Sequence, residues 1–384
     1  VRMQHAKIVN ALTASWARHV DGGTVLSGAG AWPLLAILAA AADEPGRDEL
    51  AAAVGLPAGD CTTAARETLT LMAETDGVDA ALGVWAHARA HLNPEWAAEL
   101  PPAAVGELSG DPAADRARLD SWAQEHTAGL IQRFPIDLDP DLMLTLATAV
   151  ALRTTWTRPF TDEPMRPLDG PWRGQQVAGL KRTTRALDDL RAALTPAGVL
   201  TMTRIEGGNG LDVHLVLGEE GRPPGEVLPA AFGLLAGEHR VQHGSELIDA
   251  DVGPAPGVSV IAAQRPSLAL TTTRFTVRSE HDLLRLPAVF GLRTVSRGDR
   301  GHFSRISSVP LRVGQARQSA VAYFSAQGFE AAATTAVGLH LVSMPVFKAR
   351  GLQVTYDRPF GFLAVHRASG LVLFAGWVDE AELA

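Results

Sequence analysis

Several residue types that can do chemistry occur in patterns that have to be weighed first. Ser27 sits in Ser27-Gly28-Ala29-Gly30, at the foot of an alanine- and leucine-rich run. A serine hydrolase needs its nucleophile on a sharp elbow with a base in reach. No Gly-x-Ser-x-Gly occurs, and no histidine or acid is tied to Ser27, so the chain is not expected to be a hydrolase. Asp212-x-His214 and His281-Asp282 have the types for metal pairs. No His-Glu-x-x-His and no clustered third ligand accompany them, so strand-face or surface roles are expected. Gly207-Gly208-Asn209-Gly210 lacks the lysine and the spacing of a phosphate loop and reads as a turn. Cys61 stands alone; it can form no intrachain disulfide and is expected to be a structural thiol. No metal and no cofactor is expected.

A different stretch carries more. Ser325-Ala326-Gln327-Gly328-Phe329-Glu330-Ala331-Ala332-Ala333-Thr334-Thr335 continues to Met344-Pro345 and comes after a strand-like run, Ala320 to Phe324. Small side chains let a backbone slide between other strands, and β-branched threonines tolerate the extended state. No proline interrupts Gly328 to Met344, so every residue there can donate to a ladder. The segment reads as a loop able to become a strand.

The rest of the composition sets the frame. The chain has 384 residues, 46% hydrophobic and 20% charged, a globular composition. Neither a Ser/Gly-rich linker nor a fixed-period repeat divides it, so a single domain over 1–384 is expected. Net charge is −8 with scattered basic residues, which argues against nucleic acid. Lysine occurs only at Lys7, Lys181 and Lys348; arginine supplies the other basic residues, a bias read as genomic with a hint of heat tolerance. Val1 to Asn10 does not have the pattern of a signal peptide. The longest apolar run, Trp32 to Ala42, is too short to span a bilayer, and no membrane association is expected.

Periodicity supplies the elements that must hold these segments. Val9 to Val20 has helical spacing, Thr24 to Leu26 is a short strand, and Trp32–Ala42 and Arg47–Val54 are helices. Ala80 to His87 is a strand, and Leu119 to Thr127 an amphipathic helix. Leu142 to Leu152 is nearly all apolar and suits a strand buried on both faces. Thr161 to Leu200 is broken by Pro164, Pro167, Gly170, Pro171 and Gly174 and is the least informative part. Strands are predicted at Val199–Thr203, Leu211–Leu217 and Ser267–Thr276. Val277 to Leu283 leads into a helix ending at Gly291-Leu292, and Phe347 to Val354 reads as polar loop. A turn, a strand from Phe360, a hairpin at Ser369-Gly370 and the strand Leu371–Val378 close the fold.

Taken together these segments resemble the serpin family. The hinge pattern of that family is glycine, small hydroxyl residue, glutamate, then alanines and threonine, here Gly328, Phe329, Glu330, Ala331, Ala332, Ala333, Thr334, Thr335. Arg153 to Phe160 is similar to the family's F.G.W..PF pattern, Val277 to Leu292 to its SEYDL block, and His302 to Ile306 to its DFSGI segment. Asp357-Arg358-Pro359-Phe360 through Val378 resembles the family's C-terminal DRPF block. The resemblance spans nearly the whole chain and is weakest over 161–200 and 223–260. It implies an α+β serpin fold with three β-sheets, eight or nine helices and an exposed reactive-centre loop over about 326–350, in a bacterial member. It also implies irreversible inhibition. A target serine protease cuts the loop, forms an acyl-enzyme, and is trapped as the loop's N-terminal half enters the central sheet. Counting from Gly328 places the scissile bond at Val342-Ser343, with Leu341 or Met344 as alternatives. No Arg or Lys lies between Gly328 and Val346, so proteases with an apolar pocket (chymotrypsin-, elastase- or subtilisin-like) are the expected partners, and trypsin is not.

Departures from the family pattern fall where the sheet has to open. The serine-proline-x-serine turn becomes Ser27-Gly28-Ala29-Gly30. The family's buried asparagine corresponds to Thr148 and its histidine to Gln318; with Ser27 these are candidates for one hydrogen-bonded cluster. Trp156 is retained and is expected where the loop first enters. Ala326 replaces the family acid before the hinge, and Phe329 a small hydroxyl residue. A phenyl ring there either overpacks, so that Phe329→Thr speeds complex formation, or fills a local space. The alternative function is a non-inhibitory serpin acting as a binding or chaperone-like protein. Thr68 to Val84 carries Glu74, Asp76 and Asp79 and no basic cluster, so no heparin-like cofactor is expected. A monomer is expected, and the resemblance favours an extracellular location.

Overall fold

The computed structural model describes residues 2–100, 104–138, 142–250, 255–329 and 349–384, with side chains from residue 4 onward. Helix α1 (Arg2–Ala17) and strand β1 (Thr24–Leu26) open the chain. Ser27 caps helix α2 (Gly28–Ala41): its hydroxyl accepts the Gly30 N–H at 3.0 Å, satisfying one of the free donors of the first turn. An alanine–leucine helix without a charge has to be buried nearly all round, and α2 is. Helices α3 (Gly46–Val54) and α4 (Ala58–Ala73) come next, then strand β2 (Val78–His87), helix α5 (Pro94–Ala98), strand β3 (Val105–Leu108) and helix α6 (Pro112–His126). Strands β4 (Leu144–Leu152) and β5 (Thr154–Thr155) are separated only by Arg153. The proline- and glycine-broken stretch holds β6 (Thr161–Asp162) and β7 (Gly179–Thr184). After it lie β8 (Leu190–Thr195), β9 (Gly198–Glu206), β10 (Leu211–Leu217), helix α7 (Pro224–Leu235), β11 (Val241–His243) and the one-turn helix α8 (Gly244–Leu247). The C-terminal third is strand: β12 (Val258–Ala263), β13 (Leu268–Thr273), β14 (Phe275–Asp282), β15 (Arg317–Phe324), β16 (Gly328–Phe329), β17 (Ala349–Thr355), β18 (Phe360–His366) and β19 (Leu371–Val378).

The strands form a seven-stranded sheet ordered β1-β19-β18-β10-β9-β8-β11 and a five-stranded sheet ordered β12-β17-β13-β7-β6. A four-stranded ladder, β14-β15-β16-β5, and a three-stranded one, β3-β2-β4, complete the set. These last two share the unbroken run Leu144–Thr155, which pairs with β2 through β4 and with β16 through β5. They are two parts of one sheet that is split between β4 and β15. The expected α+β architecture, with three sheets and eight helices among the described residues, is therefore present, with one sheet divided.

Four sequence expectations need correction. No α-helix forms over 283–292: a short 3-10 turn at Leu283–Arg285 gives way to irregular turns. Pro287 has no N–H and cannot continue an i→i−4 ladder, which breaks the run. Ala349 to Val354 is a strand rather than a loop. β17 lies between β12 and β13, with Leu352 and Val354 fully buried on its inner face, so its period-2 pattern outweighs its polar residues. Ser267–Thr276 splits at Arg274 into β13 and β14, which belong to different sheets. β4 is also less buried than its composition suggests; Leu144, Leu146, Ala147 and Thr148 are half-buried because β2 pairs with only one of its edges.

A main core runs under both larger sheets, and a smaller one lies under α6, where Trp85 meets Trp122 edge-on at 4.7 Å and Phe134 at 5.5 Å. Residues 380–384 cross to the edge of the five-stranded sheet: Ala178 N–H donates to Glu382 O at 2.7 Å and Ala384 N–H to Gln176 O at 2.9 Å. Glu382 also lies 3.7 Å from Arg274. Among the described residues no helix is long and apolar enough to cross a membrane.

Candidate functional site: the split sheet and the loop base

β15 runs up to Phe324, turns through Ser325, Ala326 and Gln327, and returns as β16. β16 is antiparallel to both of its neighbours: Phe329 stands opposite Phe324 on one side and Thr154 on the other, and Gly328 opposite Thr155. The first two hinge residues thus already lie between the two strands flanking the split. Gly328 is required there by space, since a methyl group at residue 328 would sit 2.2 Å from Thr154 O. Phe329 is 1% exposed, with its ring centroid 6.2 Å from that of Phe362. Phe275, Phe324 and Phe362 stack in the same aromatic cluster, so the phenyl ring fills a local space.

Trp156 fixes the turn. Its backbone N–H donates to Gln327 O and its indole Nε1–H to Ser325 O, both at 2.9 Å. Phe160 N–H donates to Ala326 O at 2.8 Å, so Ala326, in place of an acid, is held through its carbonyl. From the other side the turn Gly207–Gly210 grips β5. Gly208 N–H donates to Thr155 O, and Thr154 Oγ1 donates to Asn209 Oδ1 at 2.6 Å. Asn209 Nδ2 in turn donates to Arg153 O. In sequence, 207–210 reads only as a turn; its asparagine among three glycines is the available signal of a second use.

Below Phe324 and Thr154 the two strands part. β4 and β15 run parallel, because both are antiparallel to the β16 segment at the top. Among the described residues neither β4 nor β15 below Phe324 has a ladder partner on the edge facing the other. The N-terminal turn of α2 lies across this divide. Gln318 of β15 accepts from Ser27 N–H and donates to Ser27 O, both at 2.8 Å. Thr148 of β4 donates to Gly30 O, and Ser27 Oγ donates to Leu373 O of β19 at 2.7 Å. Gly30 sits between, with space for a methyl only at 3.2 Å from Gln318 Nε2 and 3.4 Å from Val150. Ser27, Gly30, Thr148 and Gln318 are thus brought together; Gln318 and Thr148 do not touch but hold the same helical turn from opposite strands. Thr148 and Gln318 are half-buried rather than buried. Gly28 stands in the same turn, against Thr13 of α1. Further down, α2, Leu142–Leu146 and residues 310–317 line an open groove of about 360 Å³ with apolar and polar walls.

Next to Gln318, His281 of β14 is its direct cross-strand partner. His281 Nε2 donates to Val25 O at 2.8 Å, and its ring meets Trp16 of α1 edge-on at 4.9 Å. Burial holds its imidazole below the usual range, against the hydrogen bond to Val25. Asp282 caps the turn after β14 by accepting from Leu284 N–H. Asp212 is buried and bound bidentately by Arg367, and His214 accepts from Arg191 at 3.3 Å. These residues are committed to structural partners, and no metal-binding group is found among the described residues. Cys61 is buried in α4, its thiol pushed up to about 11 by burial and by Asp60. Glu330, Ala331, Ala332, Ala333, Thr334 and Thr335, and Leu341, Val342, Ser343 and Met344, lie outside the described residues.

Comparison with known proteins agrees with this geometry. Serpin-Z6C of Oryza sativa subsp. japonica is 25% identical over 323 residues, covering 78% of this chain and 74% of that protein. Native protease nexin-1 with heparin superposes with a TM-score of 0.74 at 17% identity, over 99% of this chain and all of that one. Thyroxine-binding globulin in complex with thyroxine gives 0.74 at 16% over the full length of both. The thermophilic serpin tengpin in its native state gives 0.73 at 15% over 98% of this chain and 94% of that one. The model of the serpin (serine protease inhibitor) family matches residues 6–169 and 260–380, well over half of the sequence, and the chain belongs to the serpin family.

Proposed function

We propose that this protein is an irreversible suicide-substrate inhibitor of serine proteases that prefer apolar residues. The observation that carries the reading is the split between β4 and β15, two parallel strands with facing edges, into whose upper end Gly328 and Phe329 are already laid. The protease serine attacks the Val342 carbonyl, the amine of Ser343 leaves, and an ester joins the two proteins. About fifteen freed residues at ~3.4 Å each would carry the enzyme roughly 50 Å along the split. New ladder bonds at ~1 kcal/mol each give a drive on the order of 15 kcal/mol, before side-chain burial. Strain on the acylated serine draws it from its oxyanion donors; loss of one donor already slows hydrolysis ~100-fold or more, and the ester persists.

The test is one gel. Mixing with chymotrypsin is expected to give a band that resists boiling in detergent, while trypsin gives none. Absence of any such band with chymotrypsin, elastase and subtilisin would overturn the reading. The residue that favours a non-inhibitory binding protein, Phe329, is seated in a cluster that accepts it, which weakens that alternative. The likeness to thyroxine-binding globulin is one of fold. Glu74, Asp76 and Asp79, in a stretch from Thr68 to Val84 with no basic cluster, favour a function independent of heparin-like activators. The proposed protein acts as a monomer, as one domain, on an extracellular protease.

A further inference from the structure

The arginines beside the loop base are too many for the carboxylates around them. Arg182 of β7 lies over the Phe160 ring at 4.7 Å, and Phe160 holds the Ala326 carbonyl of the hinge turn. Its Nη1 donates to Arg158 O at 3.1 Å and its Nη2 to Arg204 O at 3.4 Å, while its Nε is buried without a partner among the described residues. Burial, with Arg158 adding to it against Asp189, pushes this guanidinium down to about 10. Arg158 and Arg185 are exposed, and among the described residues neither forms an ion pair. Arg204 does pair with Asp189 at 2.8 Å, but Arg191 beyond it meets, among the described residues, His214 and the Met202 sulfur. The nearby Glu206 is engaged by Arg367 at 3.6 Å. A cationic stripe therefore runs from the hinge turn along β7 and β9, on a chain whose net charge is −8.

We propose that this stripe, presented to solvent by Arg158 and Arg185 above the half-buried Arg182 and Arg204, is a docking surface for an acidic rim on the target protease, engaged before the loop is cut. The proposal deepens, and rests on, the inhibitory reading above. Its place favours a protease: the stripe adjoins the turn from which the loop departs, where an enzyme holding the loop must come to rest. Its make-up disfavours a sulfated chain, because Asp188 and Glu246 line the groove shared with Arg191 and Arg204 and would repel a continuous polyanion. Separate carboxylates on a protein surface can register between them. Complementary charge of this kind acts on the rate of encounter and is screened by salt.

The experiment compares chymotrypsin with succinylated chymotrypsin, whose lysines carry carboxylates, by second-order rate of inhibition at about 25 and about 300 mM NaCl. The succinylated enzyme is expected to react about tenfold faster than the native one at low salt, with the advantage lost at high salt. Arg158→Glu/Arg185→Glu is expected to abolish the advantage. Arg312→Glu, exposed near the opposite end of β15, is expected to keep it. Equal melting temperatures establish that the variants fold. An advantage unchanged in the double variant overturns the proposal, as does acceleration by a heparin fragment with no preference between the enzymes. Where neither enzyme gives a detergent-resistant adduct, the inhibitory reading itself has failed.

Discussion

Two side chains, at the middle and the top of the split, are expected to stabilise the uncut protein. Gln318 joins β15 to both the N–H and the carbonyl of Ser27, so Gln318→Ala removes two hydrogen bonds and frees one anchor of α2. A loss of about 1–3 kcal/mol is expected, measured as an earlier denaturant midpoint of the uncut protein. A histidine in its place would still reach one of the two groups and should lose less. Sequence alone leaves Phe329 as either an obstacle or a filler, and its near-complete burial against Phe362 supports the filler. Phe329→Thr is therefore expected to cost about 3–5 kcal/mol in the uncut protein, the range for emptying an aromatic site. If it instead raises the inhibition rate without loss of stability, the ring is an obstacle after all. Ser27, Trp156 and Gly328 were legible only through the resemblance to the family's turn, tryptophan and hinge motifs; the cap, the indole bond and the close backbone approach came with the structure. Asn209 and His281 were not, because their partners, Thr154 and Val25, lie 55 and 256 residues away.

At the scale of elements, the legible parts were those with one clean period. β1, α2, β2, β10, β18 and β19 appear where alternation or an unbroken apolar run placed them. The helix expected over 283–292 failed on a single proline, and β17 was hidden because a strand between two others needs only Leu352 and Val354 inward to be held. α4 carries too many threonines and alanines to announce itself. Two buried titratable groups give these elements a pH dependence. His214 of β10 is pushed down to about 3, by burial first and by Arg191 second. Its unfolded counterpart takes a proton near ~6.5, so stability is full above that pH and falls by ~1.4 kcal/mol per unit between about 6.5 and 3. Melting temperature is expected to drop from about pH 7 to about pH 5, and less steeply in His214→Gln. Asp115 of α6 behaves in the same direction at lower pH. Burial raises its carboxyl, but the Ser109 N–H and hydroxyl and the Gly110 N–H outweigh that and hold it low. Its contribution is present above about pH 4 and lost as the solution is acidified further. Asp115→Asn should lower stability at about pH 7 by about 1–3 kcal/mol and flatten the acid limb.

For the molecule as a whole, the decisive quantity is the difference between the intact and the nicked chain. Cleavage near Val342 is expected to raise the melting temperature by at least about 10 °C, since ~1 kcal/mol corresponds to about 2–4 °C in larger domains. Circular dichroism before and after limited digestion measures it, and an unchanged transition would remove the basis for the proposed mechanism. The short β16 ladder has a further consequence for timing. A strand entering a sheet from solution has to meet its neighbours, choose a register and lose chain freedom before the first bond repays it. With Phe329 already opposite both Phe324 and Thr154, those early steps are complete while the protein waits. In the proposed mechanism the cut chain would zipper from a fixed toehold, in a register with no choice left, and the race against the enzyme's own water would begin several steps ahead.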